Sequence, residues 1–218
     1  MIDWHKIQYV LLDMDGTLLD LHFDNHFWQE VLPASYARKR GLDVVTAKAV
    51  LEPIFRRREG TLNWYCLDHW TQELNIDIAT LKQEAAHLIA THSHVIEFLD
   101  ALRAAGKRSV LVTNAHPKSL ALKLEHTRLD DHLDVIVSAH DIGLPKEDLA
   151  FWGHLQRQHP FAAAQTLLID DNLAVLRAAR RYGITYLLAV SRPDSRRPPR
   201  DSGEFAALCD FRDILPNR

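Results

Sequence analysis

A few residues in this chain have the types and positions to do chemistry together. Asp13 and Asp15 stand two apart in "LLDMDGT", Thr113 and Asn114 close "SVLVTN", Lys146 sits in "GLPKED", and Asp170 and Asp171 close "LLIDD". Four of these residues are carboxylates. Gathered in one place, they would raise one another's pKa and destabilise the fold unless a cation joined them. Hard oxygen ligands, with no His or Cys pattern among them, point to Mg²⁺. A lysine and a hydroxyl beside such a cation imply a substrate with its own negative charge. Phosphate fits: the cation takes one oxygen, Lys146 a second, and Thr113 with main-chain N–H groups the remainder.

Gathering these residues requires a particular order of elements. Residues 9–15 read as a buried strand that ends in charge. Further apolar, β-branched runs predict strands over 107–115, 133–140, 164–172 and 184–190. Apolar residues at three-to-four spacing predict helices over 94–106, 117–129, 146–159 and 173–183, two of them closed by Gly106 and Gly183. Pro117 sits near the first turn of its helix. Residues 191–205 read as a Pro- and Arg-rich loop, followed by a short closing helix. Alternation of this kind predicts an α/β fold, a Rossmann-like doubly wound parallel sheet covered on both faces. Ligands of such sheets sit at the carboxyl ends of the strands, where strand order reverses. One Asp or Asn before a helix is ordinarily an N-cap. Polar groups at three strand ends, with a lysine in the loop after another, make a site instead.

About a hundred residues separate Asp15 from Thr113, far beyond the dozen or so that a crossover needs. Helical text over 27–40, 44–58, 63–74 and 79–90 fills the gap, with Pro33 and Pro53 as helix starts or kinks. The expected division is therefore a core domain of residues 1–20 and 95–218, with a small α-helical cap of residues 21–94 inserted after the first strand. Only one helix and one strand fit between Thr113 and Lys146, which excludes a second cap. A cap shields the reacting groups and reads the leaving group. "TLNWYCLDHW", residues 61–70, is dense in aromatics: Trp64, Tyr65, His69 and Trp70. They read first as the cap's own core, with stacking on a planar ring as the alternative.

Composition narrows the class. The chain is 47% hydrophobic and 25% charged, enough for a real core. A formal charge of −3 excludes an electrostatic nucleic-acid binder. Cys66 and Cys209 lie far apart with no metal spacing, so they read as reduced, buried or half-buried thiols of a cytoplasmic protein. "MIDWHKIQ" lacks the features of a signal peptide, and no apolar run approaches the roughly 18 residues of a membrane span. His22 and His26 share a helix face without a glutamate to complete a metalloprotease pattern. They read as surface histidines. His116, Lys118 and Lys123 could reach a phosphate or a base, but a solvated helix face is the first reading. "SRRPPR", residues 195–200, reads as a solvated loop. Gly16 permits a sharp turn after the aspartates, and Thr17 is expected to cap or orient the loop that follows.

"DMDGT", a strand ending in "TN", "GLPKED" and "LLIDDN", in that order, resemble the four motifs of the haloacid dehalogenase superfamily of phosphohydrolases. The resemblance implies that Asp13 is a nucleophile forming an aspartyl-phosphate. It makes Asp15 the general acid to the leaving group and then the base for water. It assigns Mg²⁺ to Asp13, the Asp15 main-chain carbonyl and Asp171, with Asp170 as a further candidate. Thr113, Asn114 and Lys146 would bind the phosphoryl group. The family often carries another Asp four residues past the last motif; here that position is Val175, so which of Asp170 and Asp171 touches the metal stays open. Halide leaving groups need no proton and alkoxides do, so Asp15 argues for phosphoester hydrolysis, although phosphomutases keep both aspartates. "TLNWYCLDHW", "TNAHPKSLALKLEHT" and "RPDS" further resemble the family's bacterial purine 5′-nucleotidase branch. That implies GMP and IMP as substrates. A sugar-phosphate phosphatase or a phosphomutase is the alternative.

Overall fold

The computed structural model describes residues 2–216. Six strands form one sheet: β1 (Tyr9–Leu12), β2 (Arg108–Thr113), β3 (Val135–Ser138), β4 (Thr166–Asp170), β5 (Tyr186–Val190) and β6 (Ala206–Leu208). All neighbours pair in parallel, in the order β3-β2-β1-β4-β5-β6. The strands are apolar on both faces because helices cover both. One apolar cluster contains Val10, Leu12, Leu111 and Ile169; the opposite one contains Leu11, Val110, Val112 and Leu168. Order reverses at β1, which lies between β2 and β4, so a crevice opens beyond their carboxyl ends.

The helices are α1 (His22–His26), α2 (Leu32–Arg40), α3 (Val44–Arg56), α4 (Leu62–Tyr65), α5 (Leu67–Leu74), α6 (Ile78–Glu84), α7 (Val95–Ala104), α8 (Pro117–Thr127), α9 (Ala139–Ile142), α10 (Leu149–Gln158) and α11 (Leu173–Tyr182). A π-helical turn, Phe27–Val31, joins α1 to α2 just before Pro33. Proline lacks the N–H that a helix interior uses, and a widened turn accommodates it. Between α1 and α6 lies an apolar cluster of their own, centred on Phe27, Leu32, Leu51, Leu67, Trp70 and Leu74.

Three readings of the sequence change. The helix expected over 63–74 is two helices, because Cys66 is extended (ψ 110) and its Sγ accepts from His69 N to start α5. The helix expected from residue 146 begins at Leu149, capped by Asp148, which leaves Lys146 in a loop. The tail contributes β6, a short edge strand, before a single 3₁₀ turn at Phe211–Ile214. Three residues are too few to display a period.

Candidate active site

Lys146 is the centre of the crevice. Its Nζ donates to Asp13 Oδ1 at 2.5 Å and to Asp170 Oδ2 at 2.8 Å, and all three residues are buried. Burial alone would depress the ammonium. Asp13 and Asp170 reverse that and hold it well above the usual lysine range. Burial pushes the Asp13 carboxyl up to about 6, against the pull of Lys146. The second oxygen of Asp170 accepts from Asn172 N at 2.9 Å, so that carboxylate is engaged on both sides. Asp171 has much less support: Arg200 stands 3.6 Å away, and burial together with Asp13 and Asp170 drives its carboxyl well above the ordinary range.

Oxygens of Asp13, Asp170 and Asp171 lie within 4.8 Å of one another. Three carboxylates against one buried ammonium leave an excess of negative charge. That donor set fits a hard divalent cation. The loop after β1 packs directly on it. Gly16 has φ +86°, and a Cβ there would lie 2.8 Å from Asp171 Oδ2. Glycine is needed both for the left-handed turn and for the close approach. Thr17, by contrast, caps nothing: its hydroxyl is buried and has no hydrogen-bond partner among the described residues.

Asp15 stands apart from the three carboxylates. Its side chain accepts from Lys123 Nζ at 2.6 Å, and Lys123 also donates to Asp24 at 2.6 Å. Asp24 in turn accepts from Lys82 at 2.6 Å. Burial pushes the Asp15 carboxyl up to about 6, with Lys123 opposing and Asp24 and Asp13 adding to the rise. The sequence reading of Lys123 and His116 as solvated is therefore corrected: both are buried, while Lys118 is exposed and pairs with Asp68 at 2.6 Å. The available signal was position. Lys123 follows Ser119 by one helical turn, beside Leu120 and Leu124, which pack on the core.

Thr113 ends β2 with its Oγ1 accepting from Ala115 N at 3.0 Å, which leaves the hydroxyl proton free to donate. Asn114 builds the next layer. Its Oδ1 accepts from Lys146 N at 2.9 Å and its Nδ2 donates to Glu147 at 2.9 Å. Glu147 also accepts from Asn172 at 3.2 Å and from the Tyr65 hydroxyl at 2.6 Å. Tyr65 closes α4, so Glu147 ties the helical layer to the ends of β2 and β4. Sequence reasoning missed Glu147, which is half-buried, because nothing in the local pattern marks an acid beside a motif lysine as a bridge between layers.

Asp13, Asp15, Thr113, Asn114, Lys146, Asp170 and Asp171 all line one cavity of about 740 Å³. Its other wall carries Trp28, Phe55, Trp64 and Trp70. Trp70 is buried and meets Phe55 edge-on at 5.1 Å, so it belongs to the core of the helical layer. Trp28 and Trp64 are half-buried and face the cavity. Within the aromatic stretch, Trp70 fits the core reading, and Trp64 lines the cavity. The "SRRPPR" loop is exposed as expected, with Arg200 at the cavity wall. Cys66 is half-buried but Cys209 is exposed, which corrects the reading of that thiol. Among the described residues no helix is long and apolar enough to cross a membrane.

Comparison with known proteins adds relatives. The sequence profile of the haloacid dehalogenase-like hydrolases matches residues 10–189. The GMP/IMP nucleotidase YrfG of Escherichia coli (strain K12) is 43% identical over 216 residues, covering 99% of this chain and 97% of that protein. The same name and identity recur in Shigella flexneri. A HAD phosphatase from Thermococcus onnurineus superposes with a TM-score of 0.79 at 21% identity, covering 95% of this chain and 96% of that one. An L-2-haloacid dehalogenase from Xanthobacter autotrophicus superposes at 0.63 with 15% identity, covering 96% and 97%. These two share the fold.

Proposed function

The chain belongs to the haloacid dehalogenase-like hydrolases, and on that premise we propose that its cavity hydrolyses purine nucleoside 5′-monophosphates, GMP and IMP, to nucleoside and phosphate. One observation carries the reading: a carboxylate–lysine floor and an aromatic wall share a single cavity. The floor suits a phosphate group and the wall a planar base. The 43% identity to a protein named for GMP and IMP supports the same substrate class.

In this reading Asp13 is the nucleophile. Its carboxylate oxygen attacks phosphorus and the ester P–O bond breaks. Asp15 gives its proton to the departing oxygen, and an aspartyl-phosphate remains on Asp13. Asp15, now a carboxylate, takes a proton from water. That water attacks phosphorus, which frees Asp13 and releases phosphate. A carboxyl near 6 suits both halves, because it can be protonated and then ionised close to neutral pH. Lys123 is a positioning residue that aims Asp15. Lys146, Thr113 and Asn114 hold the phosphoryl oxygens and the loop beneath them. Asp13, Asp171 and the Asp15 main-chain carbonyl would hold Mg²⁺, while Asp170 is committed to Lys146. The cation would supply positive charge to the non-bridging phosphate oxygens. Residues 21–94 act as the cap over a core of 1–20 and 95–218. Free thiols and a nucleotide substrate fit a reducing, cytoplasmic setting.

The test is free phosphate released, with Mg²⁺, from GMP, IMP, AMP, UMP and several sugar phosphates. Preference for GMP and IMP is the expected result. Release from sugar phosphates alone would keep the chemistry and discard the purine reading. Movement of phosphate within a sugar, with none freed, would replace hydrolysis by a mutase reaction.

A further inference from the structure

Cys66, His116 and His140 are remote in sequence, and their spacing shows no metal pattern. The fold brings them together: one potential ligand atom from each lies within 4.8 Å of the others. Cys66 opens α5 in the helical layer, His116 precedes α8, and His140 lies in α9 beyond β3. The two imidazoles meet edge to face at 5.0 Å. Nε2 of His140 is buried and has no hydrogen-bond partner among the described residues. A buried, unpartnered ring nitrogen is costly unless something completes it. A fourth group is at hand, since Asp68 Oδ2 stands 3.6 Å from His116 Nε2.

We propose that Cys66, His116 and His140, with Asp68 completing the set, bind a Zn²⁺-class cation that clamps the helical layer to the sheet. A thiolate with two imidazoles selects zinc over magnesium, whereas the Asp13–Asp170–Asp171 cluster offers only hard oxygens. The two sites share no residue. Tetrahedral zinc, with bonds of about 2.0–2.3 Å, holds its ligand atoms roughly 3.3–3.8 Å apart. Small side-chain rotations therefore close the group. Asp68 is half exposed and pairs with the exposed Lys118, a surface partner it would exchange for the cation on turning inward. Cys66 stands at the start of α5, where its Sγ accepts from His69 N at 3.4 Å. The cation would have ligands on both sides of the cavity, near the Tyr65–Glu147 contact that already joins the two layers.

The experiment uses Co²⁺ as a spectroscopic substitute for zinc, added to the full-length protein with Mg²⁺ in excess to occupy the acidic cluster. A single Co²⁺ per chain is expected, with thiolate-to-metal absorption that Zn²⁺ displaces. C209S should keep that absorption, and C66S, which preserves an acceptor for the His69 N–H, should abolish it. H140A should weaken Co²⁺ binding at least tenfold and serves as the second variant should C66S fold poorly. Wild-type protein without the absorption would overturn the site. So would C66S that keeps it, or H140A with unchanged affinity.

Discussion

Asp13 and Lys146 form a buried ion pair, and substitution of one member leaves the other without its counter-charge. The choice of substitution therefore matters. Asn at position 13 keeps an oxygen for Lys146 while removing the nucleophile. D13N should fold and lower phosphate release by at least about 10³-fold, the scale of losing a covalent nucleophile. Turnover near wild type with intact circular dichroism would remove the covalent mechanism. Gly16 offers a second test at this scale. An added Cβ would meet Asp171 Oδ2 at 2.8 Å in a left-handed backbone. G16A should cost about 1–3 kcal/mol in stability and raise the Mg²⁺ concentration needed for half-maximal activity. An unchanged Mg²⁺ requirement would separate Asp171 from the metal.

Among the elements, α1 and α8 are joined by charge. Asp24 of α1 accepts from Lys123 of α8 and Lys82 of α6, and the Lys82 ammonium also lies 4.9 Å and 4.8 Å over the rings of Phe23 and Phe27. Both lysines are buried. Burial opposes ionisation of Asp24, but Lys123 and Lys82 overcome it and hold its carboxyl well below the usual carboxylate range. A folded-state pKa below the unfolded value stabilises above the unfolded pKa of about 3.9 and fades as pH falls beneath it. D24N removes the charge that two buried ammonium groups share. Chemical denaturation at neutral pH should show a loss of about 3 kcal/mol, and the difference from wild type should shrink on acidification below about pH 4. A constant difference down to pH 2 would mean that Asp24 contributes by packing alone.

For the molecule as a whole, substrate choice rests on how one layer closes over the other. The sheet's carboxyl edge supplies the charged floor, and the helices between residues 21 and 94 supply Trp28 and Trp64. The two parts should separate by substrate. W64A should raise KM severalfold for GMP while leaving KM for a small monoester such as phenyl phosphate within about twofold, because stacking of a base on an aromatic ring is worth about 1–3 kcal/mol. Equal effects on both esters would show that Trp64 only fills space in the helical layer.

The sequence by itself determined the parts whose information is local. Continuous apolar runs marked five of the six strands. Asp13, Thr113, Asp170 and Asp171 were legible because each sits at or just beyond the end of such a run, and a parallel sheet puts those ends on one edge; Lys146 lies in the loop that follows α9, past the third strand. Tertiary structure alone decided the contacts between distant segments. Lys123 meets Asp15 across 108 positions and Asp24 across 99, through the docking of α1 on α8. Tyr65 reaches Glu147 across 82, and Cys66 finds His116 and His140 at the boundary of the two layers. The physical reason is the same in each case. Periodicity reports which face of an element is apolar, whereas a polar side chain's partner depends on which element packs against that face.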